Sequence, residues 1–284
     1  MQLVQPVILS YVQAEPLLKA KEQGMTSVQI SPDLGLSTVI VTLTPEGVLF
    51  PNGERLDWRG IEKISNSEVN CFILEDNIIR PIQLFSEYTN RVCSLIPTRG
   101  APSMLIAGFV MHRIKDIDPM QDSLRKIAAI SPIVGHVLDT ATGLGYTAIE
   151  AAKTAGEVVT IELDPGVQEI ARLNPWSRAL FHSPKIHQIL GDAYEFVQTL
   201  KDSSFTRIIH DPPTFSLAGE LYSGVFYQQL FRVLKRGGRL YHYIGDPKSK
   251  ASGGVTKGAL KRLQEAGFAR VVRRPEAYGV VAYK

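Results

Sequence analysis

Strand and helix patterns alternate without a break through the second half of the chain, and that alternation leaves few architectures open. Short apolar, β-branched runs at 136–139, 158–161, 186–190, 207–210, 239–243, 269–273 and 278–283 read as strands. Helical runs at 146–154, 165–173, 193–200, 219–234 and 256–265 separate the first six of them. Strands joined by helices lie parallel in one sheet, because parallel neighbours need a long crossover. The last two strands have no room for a helix between them, so they must pair antiparallel. The expectation is an α/β fold with a doubly wound sheet of seven strands, six parallel and the last antiparallel, entered through a helix at 119–130.

The texture before residue 115 is different. Apolar runs at 26–30, 38–43, 70–74, 78–84 and 91–96 are short and separated by turn residues. Pro51-Asn52-Gly53 marks a tight turn, and Asp57 reads as the cap of a helix at 57–65. A further helix is expected at 15–22. The chain therefore divides into a smaller β-rich N-terminal domain, 1–115, and an α/β domain, 116–284. Two cysteines, Cys71 and Cys93, form no CxxC or Cys/His cluster, so neither a disulfide scaffold nor a metal site is implied. No apolar run approaches the ~18 residues of a membrane helix. Residues 1–10 lack the basic and small-residue features of a signal peptide, and a reduced cytoplasm is the expected location. A net charge of +3 is too small to assign or exclude a nucleic-acid partner. Self-association stays open.

Four strand ends carry chemistry. The first strand runs into Asp139-Thr140-Ala141-Thr142-Gly143-Leu144-Gly145, a glycine turn where open α/β sheets bind ligands. Gly143 and Gly145 allow close backbone approach, and Glu162 follows at about the 20-residue spacing of a dinucleotide fingerprint. That pattern alone suits either a nicotinamide cofactor or S-adenosylmethionine (SAM). Asp139 favours the second, since a carboxylate repels a pyrophosphate and attracts an ammonium. Glu162, with Leu163 beside it, is placed to accept two ribose hydroxyls, whereas Asp164 reads as the cap of the helix opening at Pro165. Asp192 can accept an adenine amino group while the Ala193 N–H meets a ring nitrogen; it can equally cap its helix, with Glu195 closing a capping box. The fourth strand ends in Asp211-Pro212-Pro213-Thr214-Phe215, where two prolines fix an extended turn and leave acceptors aimed over the sheet.

Taken in this order, Asp139 to Gly145, Glu162, Asp192 and Asp211 to Phe215 resemble the class I SAM-dependent methyltransferases over residues 119–284. The resemblance implies a Rossmann-like domain with SAM as cofactor. Asp139, Thr140, Ala141, Gly143 and Gly145 would hold its methionine end, Glu162 and Leu163 the ribose, and Asp192 and Ala193 the adenine. Asp211, Pro212, Pro213 and Phe215 resemble the catalytic turn of methyltransferases that act on nitrogen, and similar turns occur in rRNA enzymes acting on guanine. The whole chain is also similar to uncharacterised archaeal-type predicted methyltransferases, which implies no substrate. The acceptor stays open between RNA and a small molecule. Ala141 stands in place of a loop glycine, and Thr214 displaces the aromatic to Phe215.

A second resemblance, carried by Ile161 to Asp164, Gly191 to Phe196 and Ala218 to Tyr227, is to spermidine synthase. It implies aminopropyl transfer from decarboxylated SAM. The first loop lacks that family's Gly-Gly-Gly-Asp-Gly run. A SAM-fold protein that binds RNA without catalysis is a third reading, and intact acids at four strand ends argue against it. Other residues have two readings each. His210 is a general base or a packed neighbour; Trp176 stacks on a base or packs. His112, Arg113 and Lys115 meet an anion or are solvated; Lys235 to Gly238 form a turn into a strand. Residues 245–250 are a lid candidate, and Arg270, Arg273 and Arg274 a solvated face.

Overall fold

The computed structural model describes residues 6–245 and 252–284. Of the lid candidate at 245–250, residues 246–250 lie outside the described residues. Two compact units are present. One runs up to Met120 and takes in Glu169–Arg178; the other holds Gln121–Gln168 and Ala179–Lys284.

The first unit is β-rich, as the turn-punctuated sequence predicts. Its strands form three small antiparallel sheets. Val7–Leu9, Phe72–Glu75 and Ile78–Pro81 make one, and Ser27–Ile30, Val39–Leu43, Gly47–Leu49 and Arg55–Asp57 another. Gln83–Ser86, Arg91–Ile96, Ser103–Ile106 and Phe109–Val110 make the third. The Pro51-Asn52-Gly53 turn closes a hairpin, with Gly53 at φ +93°. Asp57 caps the helix Trp58–Ser65 by accepting the Gly60 N–H at 2.7 Å. The first helix, Tyr11–Glu22, starts four residues before its expected position because Ser10 and Gln13 close a capping box ahead of Pro16. The run at 78–84 is not one strand. It divides after Pro81, which has no N–H to continue a ladder, and Ile82 turns inward to donate to the Cys71 carbonyl at 2.8 Å.

The second unit is built on a mainly parallel sheet, in agreement with the sequence reading of a mixed α/β fold and consistent with a Rossmann-like one. In chain order, helix α1 (Pro119–Ala129), in the second unit from Gln121 on, leads to β1 (His136–Asp139), α2 (Tyr146–Ala152), β2 (Glu157–Glu162) and α3 (Pro165–Leu173), which is in that unit up to Gln168. Then follow α4 (Arg178–His182), β3 (Ile186–Leu190), α5 (Ala193–Thr199) and β4 (Phe205–His210). The last elements are α6 (Gly224–Val233), β5 (Leu234–Tyr243), α7 (Ser252–Glu265), β6 (Arg270–Arg274) and β7 (Gly279–Tyr283). The spatial order is β3-β2-β1-β4-β5-β7-β6, with β7 antiparallel to both neighbours. Chain order reverses between β1 and β4, and the crevice outside the carboxyl ends of these strands is where such sheets bind ligands. Ile208, Leu240, Phe226, Leu230 and Val280, all fully buried, lie in the apolar cluster that fixes the sheet.

Two local readings change. Ser223 caps α6 by accepting the Phe226 N–H at 3.1 Å, which splits the run at 219–234 into a 3-10 turn, Gly219–Tyr222, and a helix. Lys235 to Gly238 lie inside β5 rather than in a turn before it, and Gly237 at φ +76° lets the strand begin at Leu234.

Candidate active site

β1 delivers a carboxylate into the interior. Asp139 is fully buried; its Oδ2 accepts the Thr147 hydroxyl at 2.7 Å and its Oδ1 the Ala141 N–H at 3.3 Å. Burial pushes its pKa up to about 7 against the pull of those two donors, and the nearby Asp211 and Glu162 carboxylates add to the rise. The loop that follows is held by its own backbone. Thr140 N–H donates to the Ile209 carbonyl at 3.0 Å, Thr142 N–H to Ile161 at 2.9 Å and Gly145 N–H to Thr142 at 2.7 Å. Gly145, at φ +76°, opens α2, and a Cβ there would lie 2.7 Å from the Leu180 side chain. Gly143, at φ +52°, faces open space, with nothing within 4 Å of where a Cβ would stand. Ala141 has no positive φ, which explains why an alanine is accepted in place of a glycine.

β2 places Glu162 against this loop. Its Oε2 accepts the Gly143 N–H at 2.8 Å and its Oε1 the Asp164 N–H at 3.1 Å. Desolvation raises its pKa to about 7, opposed by those same donors. Leu163 beside it is 39% exposed, an apolar surface next to an acid. Asp164 is the cap of α3, accepting the Gly166 N–H at 2.7 Å. β3 is tied to the same region by the Gly191 N–H, which donates to the Glu162 carbonyl at 2.8 Å. Asp192 is exposed and caps α5 through the Tyr194 N–H at 2.7 Å; the described contacts give Glu195 no capping bond in return. Ala193 is buried behind it.

β4 supplies the third acid. Asp211 follows His210, and no N–H is available at Pro212 or Pro213. The Pro213 carbonyl accepts the Tyr222 hydroxyl at 2.9 Å, and Phe215, 53% exposed, meets the edge of Tyr222 with centroids 5.5 Å apart. Asp211 also has a partner that sequence reasoning missed. Lys126 Nζ of α1 lies 2.6 Å from Asp211 Oδ2 and 2.9 Å from Asp122 Oδ2, over the Tyr243 ring at 5.2 Å. Lys126 is 2% exposed and Asp122 fully buried. Burial works against the lysine charge, but the two carboxylates outweigh it and hold Lys126 above the ordinary lysine range. Asp211 is raised by burial and drawn back by Lys126. The Asp122–Lys126 spacing of four was the available sequence signal, yet it reads as an ordinary surface pair on a helix.

His210 is packed, not poised as a base. Its Nε2 faces the Leu221 carbonyl at 2.9 Å, so that nitrogen carries the proton and Nδ1 accepts the Thr140 hydroxyl at 2.7 Å. Burial lowers its pKa to about 3. The His242 ring lies 4.4 Å away; its Nδ1–H donates to the His210 carbonyl at 3.3 Å and its Nε2 accepts the Tyr227 hydroxyl at 2.8 Å. Of the sequence-predicted residues, Asp139, Thr140, Ala141, Gly143, Gly145, Glu162 and Asp211 are thus brought together, with Leu163, Asp192 and Ala193 at the flanking strand ends. Trp176 belongs to the first unit, where its Nε1 donates to the Leu34 carbonyl at 3.0 Å.

No protein-family model matches the chain. It is 40% identical over 279 residues to the uncharacterized protein MJ1233 of Methanocaldococcus jannaschii, covering 98% of this chain and 95% of that one. The chain belongs to the MJ1233 family. It is also 31% identical over 129 residues to a polyamine aminopropyltransferase of Mycobacterium tuberculosis, a match spanning 43% of this chain and 25% of that protein. Among solved structures, a spermidine synthase in complex with the transition-state analogue AdoDATO superposes with a TM-score of 0.58 at 20% identity, over 72% of this chain and 74% of that one. This member of the MJ1233 family therefore shares the fold of that spermidine synthase. Among the described residues, no helix is long and apolar enough to cross a membrane.

Proposed function

We propose that the chain is a SAM-dependent methyltransferase that transfers the methyl group to a nucleophile, preferentially nitrogen, of an RNA or small-molecule acceptor. The observation that carries this reading is the convergence of Asp139, Glu162 and Asp211 at the carboxyl ends of three neighbouring strands, around a turn with two positive-φ glycines. Such a site is acidic and desolvated, which suits a ligand with a sulfonium and an ammonium. Asp139 would take the ammonium, Glu162 the ribose hydroxyls, and Leu163, Asp192 and Ala193 the adenine side. The open space at Gly143 leaves room for the donor to approach the backbone.

In the transfer step the acceptor lone pair forms the new bond to the methyl carbon while the carbon–sulfur bond breaks toward sulfur. The proton of the acceptor N–H leaves by way of solvent. Positioning supplies most of the rate, so no strong base is required. Asp211 would orient that N–H, the Pro212 carbonyl would share it, and Phe215 would flank a planar target. His210 takes no part, since both ring nitrogens are committed.

The sequence match to polyamine aminopropyltransferases supports a second reading, aminopropyl transfer from decarboxylated SAM. One experiment separates the two. The wild-type chain and Asp211→Ala are incubated with methyl-labelled SAM and RNA or small-molecule extracts, and in parallel with decarboxylated SAM and putrescine. Methyl incorporation that Asp211→Ala abolishes supports the first reading; an aminopropylated product overturns it.

A further inference from the structure

Lys126 is a costly residue to keep where it is. A buried ion pair can be exchanged for apolar side chains with little loss of stability, so stability does not account for an ammonium sealed between two carboxylates. Its position beside the proposed acceptor wall does. Among the described residues only Lys126 holds the Asp211 carboxylate, and it does so on Oδ2, at 2.6 Å. The trio Asp122, Lys126 and Asp211 carries one net negative charge. A sulfonium donor beside it offsets that charge; with Asp139 taken by the donor's ammonium, the Lys126 ion pair leaves a cationic acceptor one carboxylate fewer to balance it in a desolvated site.

We propose that Lys126 selects the acceptor by charge: by balancing Asp211 it admits a nucleophile that is neutral where it reacts, such as an aromatic amine, an amide or a hydroxyl, and refuses a polyammonium chain. This rests on the reading of Asp211 as the acceptor wall. Lys126 touches neither donor nor acceptor in this scheme and acts through Asp211. The other groups facing Asp211 do not supply the positive charge: Asp139 from β1 is an acid, and Tyr222 is a phenol whose pKa burial raises.

The test uses the full chain and two probes of the donor site. Sinefungin carries an amine where SAM has its methylsulfonium; S-adenosylhomocysteine is neutral at that position. Their affinities are measured by calorimetry at pH 7.5 for the wild type, Lys126→Met, Lys126→Gln, Lys126→Arg and Asp211→Asn. The ratio of sinefungin to S-adenosylhomocysteine affinity is expected to rise about tenfold or more in Lys126→Met and Lys126→Gln, as expected for removing a nearby like charge from a low-dielectric site. It should stay level in Lys126→Arg and fall in Asp211→Asn. Unchanged S-adenosylhomocysteine affinity shows that the pocket is intact, which a merely structural lysine would not combine with a moved ratio. An unmoved ratio in an intact pocket overturns the proposal alone. Should both uncharged variants fail to fold, the wild type decides: putrescine turnover with decarboxylated SAM, read by mass spectrometry, overturns charge selection, and its absence beside intact S-adenosylhomocysteine binding supports it. Failure of the wild type to bind any adenosyl probe overturns the site reading and the selection with it.

Discussion

Asp139 and Glu162 sit where a carboxylate is least comfortable without a cation. Each has its pKa raised to about 7 by burial. The folded chain therefore keeps protons that the unfolded chain releases between about pH 4 and pH 7, and stability falls as pH rises through that window. Asp139→Asn removes the penalty while keeping an acceptor for Thr147. It is expected to stabilise the unliganded protein by on the order of 3 kcal/mol at pH 8, with the gain shrinking toward pH 4. Urea unfolding across pH checks the slope, and a flat difference between the two proteins would show that Asp139 is not the group responsible. The same substitution should weaken SAM binding about tenfold or more, since the proposed ammonium partner loses its charge. The strand-end acids were readable in the sequence because each follows an apolar run. Lys126 was not, because its partner Asp211 lies 85 residues away and only the folded sheet brings them together.

At the scale of elements, the first loop is where backbone conformation decides most. Gly143→Ala meets open space and bears only its left-handed φ, a cost of about 1 kcal/mol. Gly145→Ala bears the same strain and pushes a methyl into Leu180, so its destabilisation should exceed that of Gly143→Ala by about 1–3 kcal/mol. Equilibrium urea denaturation of the two variants orders them, and equal costs would contradict the packing account. Binding should rank them the other way. A methyl at Gly143 stands in open space on the loop proposed to hold the donor and is expected to weaken S-adenosylhomocysteine at least as much as one at Gly145. Caps were legible at this scale: Asp57 and Asp164 close the helices their sequences announce. Breaks that depend on a side chain turning inward were less so, as at Ile82 and Ser223, where periodicity carries on but the backbone does not.

For the whole molecule, alternation of strand and helix was enough to predict a mixed α/β fold with a mainly parallel sheet and a β-rich N-terminal part. It did not predict that Glu169–Arg178 would group with the residues up to Met120, because that depends on contacts such as the Trp176 Nε1 bond to the Leu34 carbonyl, 142 residues away. Trp176→Phe keeps the packing and removes that bond. It should cost about 1 kcal/mol of stability without changing affinity for adenosyl ligands, measured by unfolding and calorimetry on the same samples. A loss of binding instead would place Trp176 at the ligand. The proposed function requires the acids of β1, β2 and β4 to enclose an adenosyl sulfonium whose methyl group is transferred. Calorimetric titration of the purified chain with SAM, S-adenosylhomocysteine and decarboxylated SAM tests it most directly. One site per chain is expected for SAM and S-adenosylhomocysteine in the micromolar range, with decarboxylated SAM markedly weaker. Preference for decarboxylated SAM, or no binding of any of the three, would contradict it.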